Sequence, residues 1–130
     1  MKVLSLKEPF ATLIMDKDKM IETRSFKTNY RGELYIHASL GNVNIKERID
    51  LLNLVGKRSM YNGYIICKCN LVDCIYMSPS FVEDMKKNNY KEYICGVYEE
   101  GRYAWVLSDI QVLDEFIPAK GKLGIWNYTK

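Results

Sequence analysis

The chain is short of several things at once. It has one histidine, His37, and three prolines, and no two of its four cysteines form a C-x-x-C pair. Structural zinc sites favour paired ligands about two to four residues apart in turns. No structural metal and no cofactor are therefore expected. Cys67 and Cys69 would share one strand face in "GYIICKCNLVDC"; with Cys74 and Cys95 they read as reduced, packed thiols. No repeat, low-complexity tract or linker interrupts the chain, and no run approaches the roughly 18 apolar residues of a membrane span. The opening "MKVLSLKEPF" has an early lysine but no apolar stretch leading to a small-residue cleavage site. A cytoplasmic protein with no membrane partner is expected. A formal charge of +3 is mild: it suits a nucleic-acid partner without demanding one, because clustering matters more than the total.

What is present suits one ordinary domain spanning residues 1–130, with 48% hydrophobic and 27% charged residues. "KVLSLK" alternates as a first strand, and Pro9 suits the first turn of a helix carrying Phe10, Leu13 and Ile14, ending near Asp16 to Lys19. "MIETRSF" and "ELYIHAS" read as strands joined through "KTNYRG". "NIKERIDLLNLVG" has the best helical period, with Asn44 as cap, Gly56 as stop, and Ile45, Ile49, Leu52 and Val55 close to one face. "GYIICKCNLVDCIYM" is one long strand or two divided by a bulge. Ser78 and Pro79 open a further short helix, "RYAWVLSDIQVLDEFI" is extended, and "GKLGIW" closes the chain. "YICGVYEE" reads as an edge or an interface. Five or six strands with two or three short helices and no regular βαβ alternation point to an α+β fold, with a mainly antiparallel sheet or small barrel.

The stretch that carries chemistry is "KMIETRSFKTNYRG", residues 19–32. On a strand, Glu22 and Arg24 point one way and Ile21, Thr23 and Ser25 the other, while Lys19 can swing onto the Glu22 face from the preceding turn. Such a trio can hold an anion or orient a water. Lys27 and Arg31 add positive charge, and Phe26 and Tyr30 offer surfaces for base stacking. A solvated Glu–Arg pair on a strand is also common and contributes only about 0–1 kcal/mol. On spacing alone the choice between site and surface stays open.

The pattern K-x-x-E-x-R, here Lys19, Glu22 and Arg24, followed by "SFKTNYRGELYIHAS", resembles the signature of the ASCH domain family of the PUA-like superfamily. "KVLSLKEPFATLI" is similar to the family's opening strand and helix, and "YAWVLSDIQVLDEFIPAKGKLGIWNY" to its closing aromatic strand and G-K-x-G-x-W ending. Residues 44–62 are the least diagnostic, and "DKDK" replaces the glycine that many relatives carry before the motif lysine. The resemblance implies a small PUA-like β-barrel flanked by short helices, with RNA or a nucleoside or nucleotide held in a cleft beside the motif. It assigns Lys19, Glu22, Arg24 and Arg31 to that cleft, with Trp105 and Ser108 on its wall. Some relatives deacetylate N4-acetylcytidine with a threonine nucleophile in K-x-x-T-x-R. Glu22 stands at the matching position here, and a carboxylate cannot do the work of an activated hydroxyl. The alternative function is a small hydrolase acting on a modified nucleoside or on RNA, with Glu22 and Lys19 as an acid–base pair. His37, in "LYIHAS", reads as a packed strand residue rather than a base.

Overall fold

Alternating apolar residues build six strands, and the structure, a computed structural model, describes residues 1–129. The order is β1 (Lys2–Glu8), α1 (Phe10–Met15), β2 (Ile21–Arg24), β3 (Gly32–Asn42), α2 (Ile49–Val55), β4 (Tyr64–Tyr76), α3 (Pro79–Asn88), α4 (Tyr90–Ile94), β5 (Tyr103–Pro118) and β6 (Ile125–Asn127). The fold is α+β, with one more helix than the sequence suggested. The added helix, α4, occupies part of "YICGVYEE" and its upstream flank.

The strands form one mixed sheet in the order β2-β5-β4-β3-β1-β6. Only β1 and β3 run parallel; the other ladders are antiparallel. The expected barrel is not closed, because β2 and β6 are the ends of the ladder and no strand pairing joins them among the described residues. The sheet nevertheless curls. Its long central pair, β4 and β5, shifts register at three places, and each such irregularity bends and twists a ladder locally. The curl brings Arg24 of β2 to Ser5 of β1, where the guanidinium Nη2 donates to the Ser5 carbonyl at 3.3 Å. A side chain spans the gap that a ladder would close in a barrel.

One face of the sheet buries Leu4, Leu6, Leu34, Ile36, Leu71 and Trp105 against Ala11 and Ile14 of α1. Pro9 precedes α1, and its carbonyl accepts the Leu13 N–H at 3.0 Å. Ser78 caps α3 as its sequence suggests, accepting the Phe81 N–H at 3.1 Å. All four cysteines are free, with Cys67, Cys69 and Cys95 buried and Cys74 half-buried. No helix among the described residues is long and apolar enough to cross a membrane.

The expected helix over 44–56 is shorter. Asn44 does accept the Lys46 N–H, but α2 begins only after Arg48. Its buried residues are Leu51 and Val55, while Ile49 and Leu52 are 59% and 41% exposed. Arg48 is committed elsewhere: its guanidinium donates to the Ile94 carbonyl at 2.9 Å and lies over the Phe10 ring. That tertiary contact overrides the local period. Gly56 ends the helix at φ +57°, as its sequence position suggests.

Candidate functional site

Strand β2 has only four residues and pairs on one side alone, with Glu22 opposite Trp105 and Arg24 opposite Tyr103 of β5. Alternation then separates its side chains as the sequence indicates. Thr23 turns away, its hydroxyl accepting the Val97 N–H at 3.0 Å. Glu22 and Arg24 share the other face, with Arg24 Nε donating to Glu22 Oε2 at 2.9 Å. The Arg24 guanidinium sits 5.7 Å from the centroid of the Trp105 ring.

Lys19 reaches the same carboxylate from beneath. It is 1% exposed, and its Nζ lies 2.6 Å from the carbonyls of Ile21 and Cys95 and 3.6 Å from Glu22 Oε1. The ammonium donates to two backbone carbonyls and faces the Glu22 carboxylate at ion-pair distance, so it is spent on holding the strand. From behind, Glu92 of α4 accepts the N–H groups of Met20 and Ile21 at 2.7 and 3.3 Å. Burial raises the Glu92 carboxyl above its ordinary range, with Lys19 and the two N–H groups pulling it back.

The β6 ladder covers β1 only as far as Leu4. Beyond it the Ser5–Lys7 edge is left open, and a cleft of about 1220 Å³ lies between that edge and the Glu22–Arg24 face of β2. Phe10, Leu40 and Leu123 give the cleft apolar walls, and Lys7, Lys120 and Lys122 stand around it. Lys7, Lys120 and Lys122 are exposed, as are Leu40 and Leu123.

Of the residues singled out from the sequence, Glu22 and Arg24 line this cleft, Lys19 lies under it, and Trp105 backs Arg24 while buried. Arg31 and Ser108 do not join them. Arg31 donates to the carbonyls of Thr28 and Tyr30 and stands 3.9 Å from Asp73. Ser108 donates to Asp109. Ser108 lies three residues from Trp105, a separation that reverses the face of a regular strand.

The sequence reading missed Ser5 and the 118–124 segment. Here a polar chain crosses the cleft wall. Trp126 Nε1 donates to Ser5 Oγ at 3.0 Å, Ser5 Oγ lies 2.9 Å from His37 Nδ1, and His37 Nε2 lies 2.8 Å from the Ala119 carbonyl. A carbonyl only accepts, so Nε2 carries the ring proton and Nδ1 accepts from the serine hydroxyl. Burial lowers the His37 pKa, partly offset by the bond to Ala119; the imidazole is neutral at pH 7. Gly121 packs against this pair: a Cβ there would lie 2.9 Å from Ser5 Oγ and 3.1 Å from His37 Cε1. Gly121→Ala is therefore expected to lower stability by roughly 1–3 kcal/mol through overpacking, read as a lower denaturation midpoint. An unchanged midpoint would mean that the segment gives way without cost.

Among the described residues no group of three or more His, Cys, Asp or Glu side chains is placed to hold a metal ion. None of the curated proteins matches the chain. The family model described as the ASCH domain matches residues 4–116, a span that takes in the motif on β2, the serine on β1 and nearly all of β5, and the chain belongs to the ASCH domain family.

Proposed function

We infer that this protein binds RNA or a nucleotide in the cleft between β1 and β2. The observation that carries the reading is the composition of the cleft. A guanidinium fixed by Glu22 and Trp105 lies on one wall, and Lys7, Lys120 and Lys122 stand around apolar surfaces from Phe10, Leu40 and Leu123. Lysine and arginine supply the charges that neutralise phosphate, and apolar or aromatic surfaces accept the faces of unstacked bases. Glu22, an acceptor, suits the N–H groups of a base edge or the hydroxyls of a ribose. The family's usual association with RNA agrees with this chemistry.

The acid–base hydrolase alternative draws less from the same geometry. Lys19 is buried outside the cleft lining, hydrogen-bonded to two backbone carbonyls and paired with Glu22, and Glu22 is tied to Arg24. Both hold the arginine in place, and Glu22 also lines the cleft.

The test is fluorescence anisotropy with short single-stranded RNAs and nucleotides across a series of salt concentrations. Binding should weaken with salt. Lys120→Ala with Lys122→Ala should flatten the log–log slope by about 0.7 for each phosphate that is no longer neutralised. Arg24→Ala should weaken affinity roughly tenfold or more, the scale of one charged hydrogen bond. An affinity indifferent to salt and to all three lysine and arginine changes would overturn the reading.

A further inference from the structure

The bonds around Ser5 have a directionality that anchoring alone does not require. Ser5, one of the residues lining the cleft, accepts from Trp126 Nε1 and donates its hydroxyl to the Nδ1 of a neutral imidazole, whose far nitrogen is fixed by a carbonyl acceptor. A nucleophile, a base and a group that orients the base are the three parts of an activated hydroxyl. Ser39 lines the same cleft, but the two ring nitrogens of the chain's one histidine are occupied by Ser5 and Ala119. The expectation that His37 is a packed strand residue accounts for its 1% exposure and for a satisfied ring; what it does not require is that one partner be the hydroxyl of a residue lining the cleft.

We propose that Ser5 and His37 form a nucleophile–base pair that transfers acyl groups, acting on an ester or amide whose carbonyl reaches the β1 edge and whose remaining part is anionic. In the first step Ser5 Oγ bonds to the carbonyl carbon, its proton passes to His37 Nδ1, and the carbonyl π pair moves onto oxygen. The Arg24 guanidinium, anchored on the Ser5 backbone carbonyl, offers positive charge where that oxyanion forms. The oxyanion then collapses and the bond to the leaving alkoxide or amine breaks. The leaving group takes the proton from Nδ1. Water, deprotonated in turn by His37, bonds to the acyl carbon; the C–Oγ bond then breaks, Oγ recovers the proton from Nδ1, and a carboxylic acid leaves free Ser5. The net reaction consumes one ester or amide and one water. The requirement for an anionic leaving portion comes from Lys7, Lys120 and Lys122 around the same cleft.

This activity goes beyond binding, and its test does not depend on RNA. The full-length protein is treated with an alkyl fluorophosphonate, which forms a Ser O–P bond as the P–F bond breaks and the displaced fluoride leaves with the serine proton. Intact mass and peptide mapping then locate the adduct. The expected result is one adduct, on Ser5 and not on Ser39, absent in Ser5→Ala and slowed at least about a hundredfold in His37→Gln, within the usual range for removing a general base. Should His37→Gln fail to fold, the wild-type chain still decides, because Ser39 provides an internal comparison. No adduct on Ser5 in the folded protein, equal labelling of Ser5 and Ser39, or an undiminished rate in folded His37→Gln would each overturn the proposal. Failure here with salt-dependent RNA binding intact would leave a binding cleft with an anchored wall. Labelling without RNA binding would leave an acyl-transfer site alone.

Discussion

Lys19→Met is expected to lower the free energy of unfolding by about 3–5 kcal/mol, the usual cost of removing one partner from a buried ion pair. Methionine keeps the apolar stem and most of the volume, so the difference isolates the ammonium. That ammonium satisfies the carbonyl of Cys95, just beyond α4, and the carbonyl of Ile21 on β2, and it faces Glu22. Without it the Cys95 carbonyl loses its side-chain partner, and Glu22 retains one cation, Arg24. The cation–π interaction between Nζ and the Phe10 ring, 5.4 Å to its centroid, goes as well. Urea denaturation should show a lower midpoint at unchanged slope, because the surface exposed on unfolding stays the same. The control is Lys27→Met, an exposed lysine on the turn after β2, expected to stay within about 0.5 kcal/mol of wild type. If the two substitutions cost the same, Lys19 is a surface charge in energetic terms and the buried ammonium does not hold β2.

How much of this was legible from the sequence differs from residue to residue. The faces of β2 were, because a strand alternates whatever it packs against; Glu22 and Arg24 came out together and Thr23 opposite. Ser78–Pro79 was legible for a similarly local reason, since a cap hydroxyl needs only the N–H three residues on. Where distant contacts decide, local reading failed. The period across 44–56 suggested one helix, but Arg48 leaves it to reach Ile94 and Phe10, and the turn before it unwinds. Closure of the sheet was equally out of reach, because no strand's own pattern tells which partner its free edge finds. The cleft shows the same divide. Its motif half lies in six consecutive residues, whereas its other half joins Ser5, His37, Ala119 and Trp126 across as many as 121 positions. The lysines of "PAKGKLG" were visible in the sequence, but nothing local directed them to the mouth of a cleft.

Glu92 was missed for the same reason, and it carries the second large effect. Glu92→Ala removes the acceptor for two backbone N–H groups at the entry to β2, and each buried donor left without a partner costs about 1–3 kcal/mol. A drop in stability on the order of 2–4 kcal/mol is expected. Glu92→Gln keeps one oxygen acceptor and should cost less, about 1–2 kcal/mol. The pH dependence separates the carboxylate's charge from its hydrogen bonds. Burial raises the Glu92 pKa in the folded state above the ordinary value of 4.5. The native chain therefore binds this proton more tightly than the unfolded chain does. That contribution to stability is fully present below the unfolded value and is lost as pH rises through the raised one. Glutamine has no such proton. The deficit of Glu92→Gln relative to wild type should thus be largest near pH 4 and shrink as pH rises toward neutrality. His37 acts in the opposite sense, because its folded pKa is lowered and acidification below about 6.5 disfavours the fold. It titrates in both proteins, however, and cancels in the difference between them. A deficit that grows with pH would mean that the two N–H groups and Lys19 favour the carboxylate more than burial penalises it. The anchor of β2 would then be a fully charged one.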